Sequence, residues 1–415
     1  MNESESESEK SSKASKQKTI LGVSIPVFLM GLVSFFTDVS SEMIQSILPL
    51  FIISIGGSIL ILGLISGVTN ALANIMKGFS GWMSDKINKR KPFVVGGYAL
   101  SNLSKPFISF SPTWEYVLGL KAADRFGKGL RTSSRDALIS FYATERGKAF
   151  GLHRAMDTLG AIVGSLLAFF FLYLAWTYSQ IIFFSIYPGI CAIILILFVK
   201  DVDPTKIEGA LPEKYQKPEK ETVDKNFIKL IIILGVIEFA SLDIAFLILR
   251  SSDYVPADLI FLIPLFYLIS NIVYTVFSPL TGSLSDKVGR KPVIVAGLSV
   301  LLTACILLAF PIEVSMVSLV LIVLIFIMFG FYMASVDPIS RAYVADLAGK
   351  RKRGRAYGYY YLSVGLITLA ESLIFGLIYD IFSFTAAFIY ISILLIVCMV
   401  IFIKTDFSRI IRPQK

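Results

Sequence analysis

A ten-residue charged loop occurs twice in this chain, and each copy lies between two apolar segments. The first copy, GWMSDKINKR, begins at Gly81, and the second, GSLSDKVGRK, begins at Gly282. Their aspartates, Asp85 and Asp286, are 286 − 85 = 201 positions apart, which is close to half of the 415 residues. A loop repeated at this distance predicts a duplicated unit, so the chain is expected to fold into two similar halves.

Composition places both halves in a membrane. The chain is 55% hydrophobic and only 17% charged, whereas soluble domains carry about 25% charged residues. Apolar spans of about 20 residues, the length that crosses a bilayer as a helix, recur along nearly the whole chain. Lipid cannot hydrogen-bond to an open backbone, and the sequence lacks the alternating pattern of a membrane β-barrel. We therefore predict an all-α membrane protein.

The apolar spans predict twelve transmembrane helices in two pseudo-symmetric six-helix halves. The helices are expected at about 20–54, 58–84, 92–111, 113–140, 146–174, 177–200, 226–251, 256–284, 292–310, 313–343, 352–380 and 383–404. The predicted domains are a disordered cytoplasmic tail at 1–18, an N-terminal half at 19–200, a cytoplasmic linker at 201–225, a C-terminal half at 226–404 and a cytoplasmic tail at 405–415. The linker is rich in Lys, Glu and Pro, a composition typical of flexible connections.

The distribution of basic residues predicts the orientation in the membrane. The net charge is +9, from 39 basic and 30 acidic residues. Lys and Arg cluster in alternate loops, and the intervening loops contain almost none. Because such loops favour the cytoplasmic side, both termini are predicted to be cytoplasmic and the chain to be a multi-pass plasma-membrane protein. Topology thus explains the positive charge, and nucleic-acid binding is not expected.

A second repeated motif supports the duplication. RGKAFG begins at Arg146 and RGRAYG begins at Arg353, which are 353 − 146 = 207 positions apart. With both repeats, the chain resembles transporters of the major facilitator superfamily, whose loop between helices two and three has the pattern G-x-x-x-D-[RK]-x-G-[RK]-[RK]. The second loop matches this pattern throughout, and in the first loop Asn88 replaces the second glycine.

The resemblance implies an alternating-access transporter with helices one, four, seven and ten around a central cavity. The segment RFGKGLR, which begins at Arg125, resembles a prokaryotic branch of uncharacterised, efflux-like permeases. Helix five of exporters in the family carries a glycine-rich antiporter signature. Gly151, Gly160 and Gly164 keep its spacing, whereas Ser165 replaces its proline. Close helix packing by small residues is the alternative interpretation of these glycines.

Charged residues inside the predicted helices are the candidate substrate and proton pathway, because charge at membrane depth is costly and usually functional. Matching helices one and four by depth predicts that Asp38 and Glu42 face Arg125 and Lys128. Asp38 lies nearest the midplane and is the first candidate for proton coupling. The pathway is also expected to include Gln45, Arg154, Asp157, Asp243, Arg250 and Asp337. A static network of ion pairs is the alternative interpretation.

The repeated loops are expected to gate the cytoplasmic side. Gly81 and Gly282 are expected to let neighbouring helices approach closely. Asp85 is predicted to pair with Arg131 or Arg135, and Asp286 with Arg341. Each aspartate would face the N-terminal end of a helix in the other half, where the helix dipole favours an anion. Two arginines of the repeated loops, Arg90 and Arg290, complete the predicted gating set.

The expected function is proton-coupled export of a small organic solute, with the proton gradient as energy source and no cofactor or metal. Membrane lipid is the other expected partner, and a monomer is the expected state. Metabolite uptake by proton symport and a transporter-shaped sensor without flux are the alternatives. An enzyme is not expected, because the sequence contains no HExxH, P-loop or Ser/His/Asp pattern.

Overall fold

A computed structural model of the chain describes residues 19–87, 90–143, 145–199, 201 and 225–405, most of which are helical. The predicted N-terminal tail, linker residues 202–224 and residues 406–415 lie outside this description. A short hairpin of two strands, β1 (Thr19–Ile20) and β2 (Val23–Ser24), departs from the all-α prediction. The first helix therefore begins at Ile25 rather than near residue 20.

The N-terminal half consists of six membrane spans. They are formed by α1 (Ile25–Gln45) with α2 (Leu48–Ser54), α3 (Ile59–Ile87), α4 (Lys91–Phe107), α5 (Trp114–Tyr142), α6 (Arg146–Tyr173), and α7 (Tyr178–Phe184) with α8 (Ile186–Leu197).

The C-terminal half consists of the other six spans. They are formed by α9 (Lys225–Phe239) with α10 (Ile244–Ser251), a 3-10 segment (Ala257–Leu262) with α11 (Ile263–Val288), α12 (Arg290–Ala309), the two spans of α13 (Met316–Ile381), and α14 (Phe384–Lys404).

The helix α13 is one run of 66 residues, where the sequence predicts two helices at 313–343 and 352–380. A straight helix of this length would measure about 100 Å, yet both ends of α13 lie close to Arg250. The guanidinium of Arg250 lies 3.6 Å from the ring centre of Phe384, just after α13, and 5.2 Å from that of Tyr254. The carbonyl of Tyr254 accepts a hydrogen bond from Ser318, near the start of α13. The run therefore doubles back, and its two spans are Met316–Val344 and Gly358–Ile381.

Two of the twelve spans do not meet a hydropathy criterion for transmembrane helices. Among the described residues, ten helical stretches are long and apolar enough to cross a membrane, and α4 and α5 are not among them. The helix α4 has only 17 residues, and α5 carries the buried charged residues Lys121 and Asp124. The two helices pack closely, because an added Cβ on Gly97 would lie 2.7 Å from the carbonyl oxygen of Gly127. Some of their polar groups bond to each other within the protein instead of facing lipid, since Ser101 of α4 donates to Asp124 of α5 at 2.6 Å.

The first and seventh spans are each broken near the middle. The helix α1 ends at Gln45, and α2 begins at Leu48 with Pro49 in its first turn. Proline interrupts a helix because it lacks an amide hydrogen and clashes with the preceding turn. The helix α10 begins after Asp243, whose carboxylate accepts the amide of Ala245 at 2.8 Å as an N-cap. Both spans were predicted as continuous helices, and the breaks place polar groups in the middle of the bundle.

The even number of spans puts Thr19 and Thr405 on one side of the bundle, which we call the terminal face. We call the opposite side, which carries Ile59 and Asp380, the far face. The halves meet at the far face, where the carboxylate of Asp380 accepts the amides of Ile59 at 3.1 Å and Leu60 at 2.9 Å. Below this contact, the rings of Phe246 and Phe375 lie 4.4 Å apart within a buried apolar cluster that includes residues of both halves.

Candidate functional site

A cavity of about 550 Å³ lies between the two halves. The broken spans contribute its middle, with Gln45, Leu48 and Pro49 on one side and the segment 241–245 on the other. Further lining residues come from α3, α5, α9, α11 and α13. The volume falls within the range of about 300–1,000 Å³ that is typical of small-molecule sites.

Basic side chains line the N-terminal wall of the cavity. They are Lys77 of α3 and Lys121, Arg125 and Lys128 of α5. Lys121 lies 3.6 Å from the carboxylate of Asp124. The other contacts are with neutral amides, because Lys77 donates to Asn74 at 3.0 Å and Arg125 donates to Gln45 at 3.1 Å. The wall therefore keeps an excess of positive charge.

Carboxylates line the C-terminal wall, namely Glu238, Asp243, Asp337 and Glu371. Asp337 forms an ion pair with Arg341. Glu238 accepts a hydrogen bond from Thr368 at 3.1 Å, and the buried Glu371 accepts one from Ser372 at 2.9 Å. Within the described part of the chain, neither glutamate has a basic side chain at salt-bridge distance. The C-terminal wall therefore carries carboxylates that no basic side chain of the described residues offsets.

Among the described residues, two carboxylates on the cavity wall accept hydrogen bonds from the opposite half. Asp243 of the C-terminal half accepts hydrogen bonds from the amide of Asn70 at 3.1 Å and from the hydroxyl of Ser66. Glu42 of the N-terminal half accepts a hydrogen bond from the phenol of Tyr267. Because donor and acceptor come from opposite halves in each case, these contacts hold the halves together in this conformation.

Glycine packing shows which side of the cavity is closed. Towards the far face, an added Cβ on Gly376 would lie 2.9 Å from the carbonyl oxygen of Ile59, and one on Gly67 would lie 3.0 Å from the Cα of Leu369. Near the terminal face, an added Cβ on Gly282 would meet nothing within 4 Å. The halves are thus in close contact at the far face, and the cavity opens towards the terminal face.

Six of the predicted pathway residues lie on the cavity wall, and their roles stay predictions. They are Glu42, Gln45, Arg125, Lys128, Asp243 and Asp337. The expected ion pairs between helices one and four are absent among the described residues. Instead, the carbonyl oxygen of Gln45 accepts from Arg125 at 3.1 Å and from Lys121 at 3.4 Å. Helices one and four thus contact each other at this depth through an amide rather than through a carboxylate.

Asp38, Asp157 and Arg154 lie outside the cavity lining, and their place in the pathway stays a prediction. Asp38 faces α6. A Cβ added on Gly160 of that helix would lie 3.1 Å from the Cβ of Asp38. Lys128 is still close enough to act on Asp38 electrostatically. Asp157 lies 3.5 Å from His153, and the exposed Arg154 lies 6.0 Å from the ring centre of Tyr274.

Arg250 also lies outside the cavity and packs at the far face. Its guanidinium is 2.6 Å from the carboxylate of Asp253 and donates to the carbonyl of Phe310 at 3.3 Å. Helical spacing places Arg250 on the same face as Asp243. The two positions nevertheless differ in depth by about 10 Å, since a helix rises 1.5 Å per residue. The shared face therefore does not mean a shared site.

The predicted gating pair between Asp286 and Arg341 does not form in this conformation. Asp286 near the end of α11 pairs at 2.6 Å with Arg290, the first residue of α12, and Arg341 pairs with Asp337. Between Asp286 and Arg290, Gly289 has φ +95°, a left-handed conformation that favours glycine. The expected close packing at Gly282 does not occur in this conformation, in which the terminal face is open.

The first repeated loop is only partly described. The surroundings of Gly81 and the side chain of Asp85 lie outside the described residues, and Arg90 is the N-cap residue of α4. The arginines predicted to bind Asp85 have partners within the N-terminal half. Arg131 stacks on Tyr98 at 4.3 Å, and Arg135 contacts Asp136 at 2.8 Å.

Several cavity residues were not predicted from the sequence. Ser66, Asn70 and Lys77 lie on one face of α3 at spacings of four and seven residues, and this polar stripe was a usable signal. Tyr267 offers no such signal, because a tyrosine in an apolar helix is most often a packing residue. Only the contact with Glu42 distinguishes it.

Comparison with known proteins agrees with this architecture. Residues 30–273 and 259–413 match the sequence profile of the Major Facilitator Superfamily. An uncharacterized MFS-type transporter of Methanocaldococcus jannaschii is 37% identical over 377 residues, which cover 89% of this chain and 92% of that protein. The multi-drug resistance efflux pump PmrA of Streptococcus pneumoniae is 30% identical over 155 residues, or 35% of this chain and 36% of that protein.

Solved structures show the same fold. The crystal structure of the nucleoside transporter NupG matches with a TM-score of 0.73 at 14% identity, over 92% of this chain and 100% of that one. At this identity the likeness concerns the fold alone. The profile match and the relative from Methanocaldococcus jannaschii both extend over most of the chain. The chain therefore belongs to the Major Facilitator Superfamily.

Proposed function

We propose that this chain exports a small organic solute across the plasma membrane in exchange for protons, by alternating access of the central cavity. One observation carries the proposal. The cavity is closed at the far face, open towards the terminal face, and lined by carboxylates without basic partners among the described residues. The repeated loops would close the terminal face when the far face opens.

The uncompensated carboxylates supply a physical basis for proton coupling. A charged carboxylate at membrane depth is costly unless a cation or a proton neutralises it. Among the described residues, Glu238 accepts a hydrogen bond only from the hydroxyl of Thr368, and Asp243 accepts from Asn70 and Ser66. These two residues replace Asp38 as our first candidates for carrying the proton. A bound solute would neutralise Glu238 and Asp243 in one state of the transport cycle, and a proton would neutralise them in another.

The direction of transport rests on two observations. The basic loops lie on the terminal face, so the positive-inside rule supports a cytoplasmic terminal face and cytoplasmic termini. The open side of the cavity would then receive solute from the cytoplasm. The partial similarity to an efflux pump supports export, although it extends over only 35% of this chain. In this proposal the transporter acts as a monomer in the lipid bilayer. Its energy source is the proton gradient, and it needs no cofactor.

The test is proton movement in proteoliposomes that contain purified protein and the pH dye pyranine. A panel of cationic, anionic, zwitterionic and neutral metabolites and drugs is added singly under an imposed pH gradient. We expect at least one solute to drive proton flux opposite to its own movement. Glu238→Gln and Asp243→Asn are expected to abolish this flux. Glu115→Gln, which removes an exposed carboxylate at the start of α5, is the matched control.

The outcomes separate the alternatives. Solute and proton movement in the same direction would replace export with symport. Solute movement without protons would overturn the coupling, and binding without any flux would favour the sensor interpretation.

A further inference from the structure

We infer that the cavity binds solutes that carry a positive and a negative group at once, with the negative group towards α3 and α5 and the positive group towards α9 and α10. This inference names the substrate class and rests on the proposed transport function. It follows from the difference between the two walls: the N-terminal half supplies the basic wall, and the C-terminal half supplies the wall of carboxylates.

The N-terminal wall has room for an anionic group. Of its four cations, Lys121 is offset by Asp124, and Glu42 and Asp38 offset two more, which leaves an excess of 4 − 3 = 1. Lys77 lies 3.0 Å from the amide oxygen of Asn74 and 5.1 Å from the ring centre of Tyr361. Among the described residues, the ammonium of Lys128 has no hydrogen-bond acceptor within reach. A carboxylate or phosphate of a solute would satisfy these donors.

The C-terminal wall has room for a cationic group. Of its four carboxylates, Asp337 is offset by Arg341, and the other three have no basic partner among the described residues. One oxygen of Glu371 is buried without a hydrogen-bond partner, although its other oxygen accepts from Ser372. An ammonium group of a solute would supply donors and neutralise charge here.

No ion pair crosses the cavity between the described residues of the two walls. The polar links between the walls are the hydrogen bonds of Asp243 with Asn70 and Ser66 and of Glu42 with Tyr267. The opposite charges therefore face one another unpaired. A solute with a single charge gains attraction from one wall and repulsion from the other, and in this weakly screened space both are strong. A zwitterion gains attraction from both walls.

The test is binding, which does not depend on flux. Purified full-length protein in detergent is titrated with a panel of free amino acids and dipeptides. Each compound is also supplied as its N-acetyl derivative, which keeps only the negative charge, and as its C-terminal amide, which keeps only the positive charge. Thermal unfolding screens the panel, because a ligand that binds the folded state raises the midpoint. Calorimetry then gives the Kd of each form.

We expect at least one free compound to bind at least tenfold more tightly than both of its derivatives. Asp243→Asn should reduce the preference over the N-acetyl form to below threefold, and Lys128→Gln should do the same for the amide. A purely structural effect would weaken all three forms alike. Lys404→Gln, an exposed change at the end of α14, should leave every ratio unchanged.

The inference is overturned if a singly charged derivative binds as tightly as its free compound, or if no free compound binds. Proton-coupled flux of a singly charged or neutral solute, without zwitterion binding, would overturn it and leave the proposed function intact. Zwitterion binding with no flux under any gradient would support it and overturn the proposed function.

Discussion

The carboxylate of Asp380 accepts a hydrogen bond from the backbone amide of Ile59 at 3.1 Å and thereby ties the eleventh span to the start of α3. The first amides of a helix have no partner within the helix, and the helix dipole is positive there. The carboxylate of Asp380, from the opposite half, accepts hydrogen bonds from these amides and places a negative charge at the positive end of the dipole. The contact is a latch at the far face, which opens whenever the halves separate on that side.

Replacing Asp380 by alanine should favour the state in which the far face is open. Loss of a carboxylate at a helix N-terminus costs about 0.5–1 kcal/mol, which corresponds to a roughly two- to fivefold change in population. Spin labels on Glu115→Cys and Glu313→Cys, in a Cys191→Ser background, would report the distance across the far face by pulsed electron resonance. Asp258→Ala removes an exposed carboxylate on the same face and should leave the distances unchanged. Equal distributions in both variants would contradict the latch.

Adding one methyl group at Gly376 should have a larger effect. The new Cβ would lie 2.9 Å from the carbonyl oxygen of Ile59 and 3.0 Å from the Cα of Leu60, and backbone cannot move aside as a side chain can. Overpacking of this kind costs about 1–3 kcal/mol, so Gly376→Ala should populate the open far face in the same spin-label experiment. Gly96→Ala adds the same methyl group where nothing lies within 4 Å. If the two variants behave alike, the closure does not depend on this contact.

Tyr267→Phe should loosen the contact between the halves without changing the shape of the cavity. The phenol donates to the carboxylate of Glu42, and a hydrogen bond to a charged group contributes about 1.5–3 kcal/mol. We expect the spin-label distances across the far face to lengthen. Tyr332→Phe removes a phenol from the same cavity, but one with no hydrogen bond to the other half among the described residues. A shift in Tyr332→Phe alone would be evidence against this assignment.

Arg250→Met should lower stability rather than alter binding. The arginine is 4% exposed, pairs with Asp253 and stacks on Phe384, all away from the cavity. Losing a charge-assisted hydrogen bond and a cation–π contact costs about 2–4 kcal/mol, which should appear as a lower midpoint of thermal unfolding. Arg154→Met, at an exposed position, should change the midpoint little. Altered ligand preference with unchanged stability would return Arg250 to the substrate pathway.

Much of the fold was predictable because membrane insertion depends on local hydropathy. The duplicated loops at Asp85 and Asp286 predicted two halves, and apolar spans predicted twelve helices, including α4 and α5, which a strict hydropathy threshold misses. The breaks at Pro49 and Asp243 were not predicted, although proline and an N-capping aspartate are both sequence signals. Apolar residues on either side made each span look continuous.

The cavity was predictable only in part. Polar spacing on helices one and four led to Glu42, Gln45, Arg125 and Lys128, and all four line the cavity. The same reasoning placed Arg250 there, and that was wrong, because spacing gives a face but not a depth. It also paired Asp286 with Arg341, whereas in this conformation each pairs with a residue four positions away in the chain.

By itself, the sequence determined the membrane environment, the duplication and the helix count, because the free energy of transfer into lipid is summed along each segment. The tertiary structure alone decided which charges oppose one another. Glu238 and Lys77 come to face a common cavity through the rotation and depth of helices that are distant in the chain. Such placements depend on packing between halves, as at Gly376 and Ile59, and no single segment encodes them.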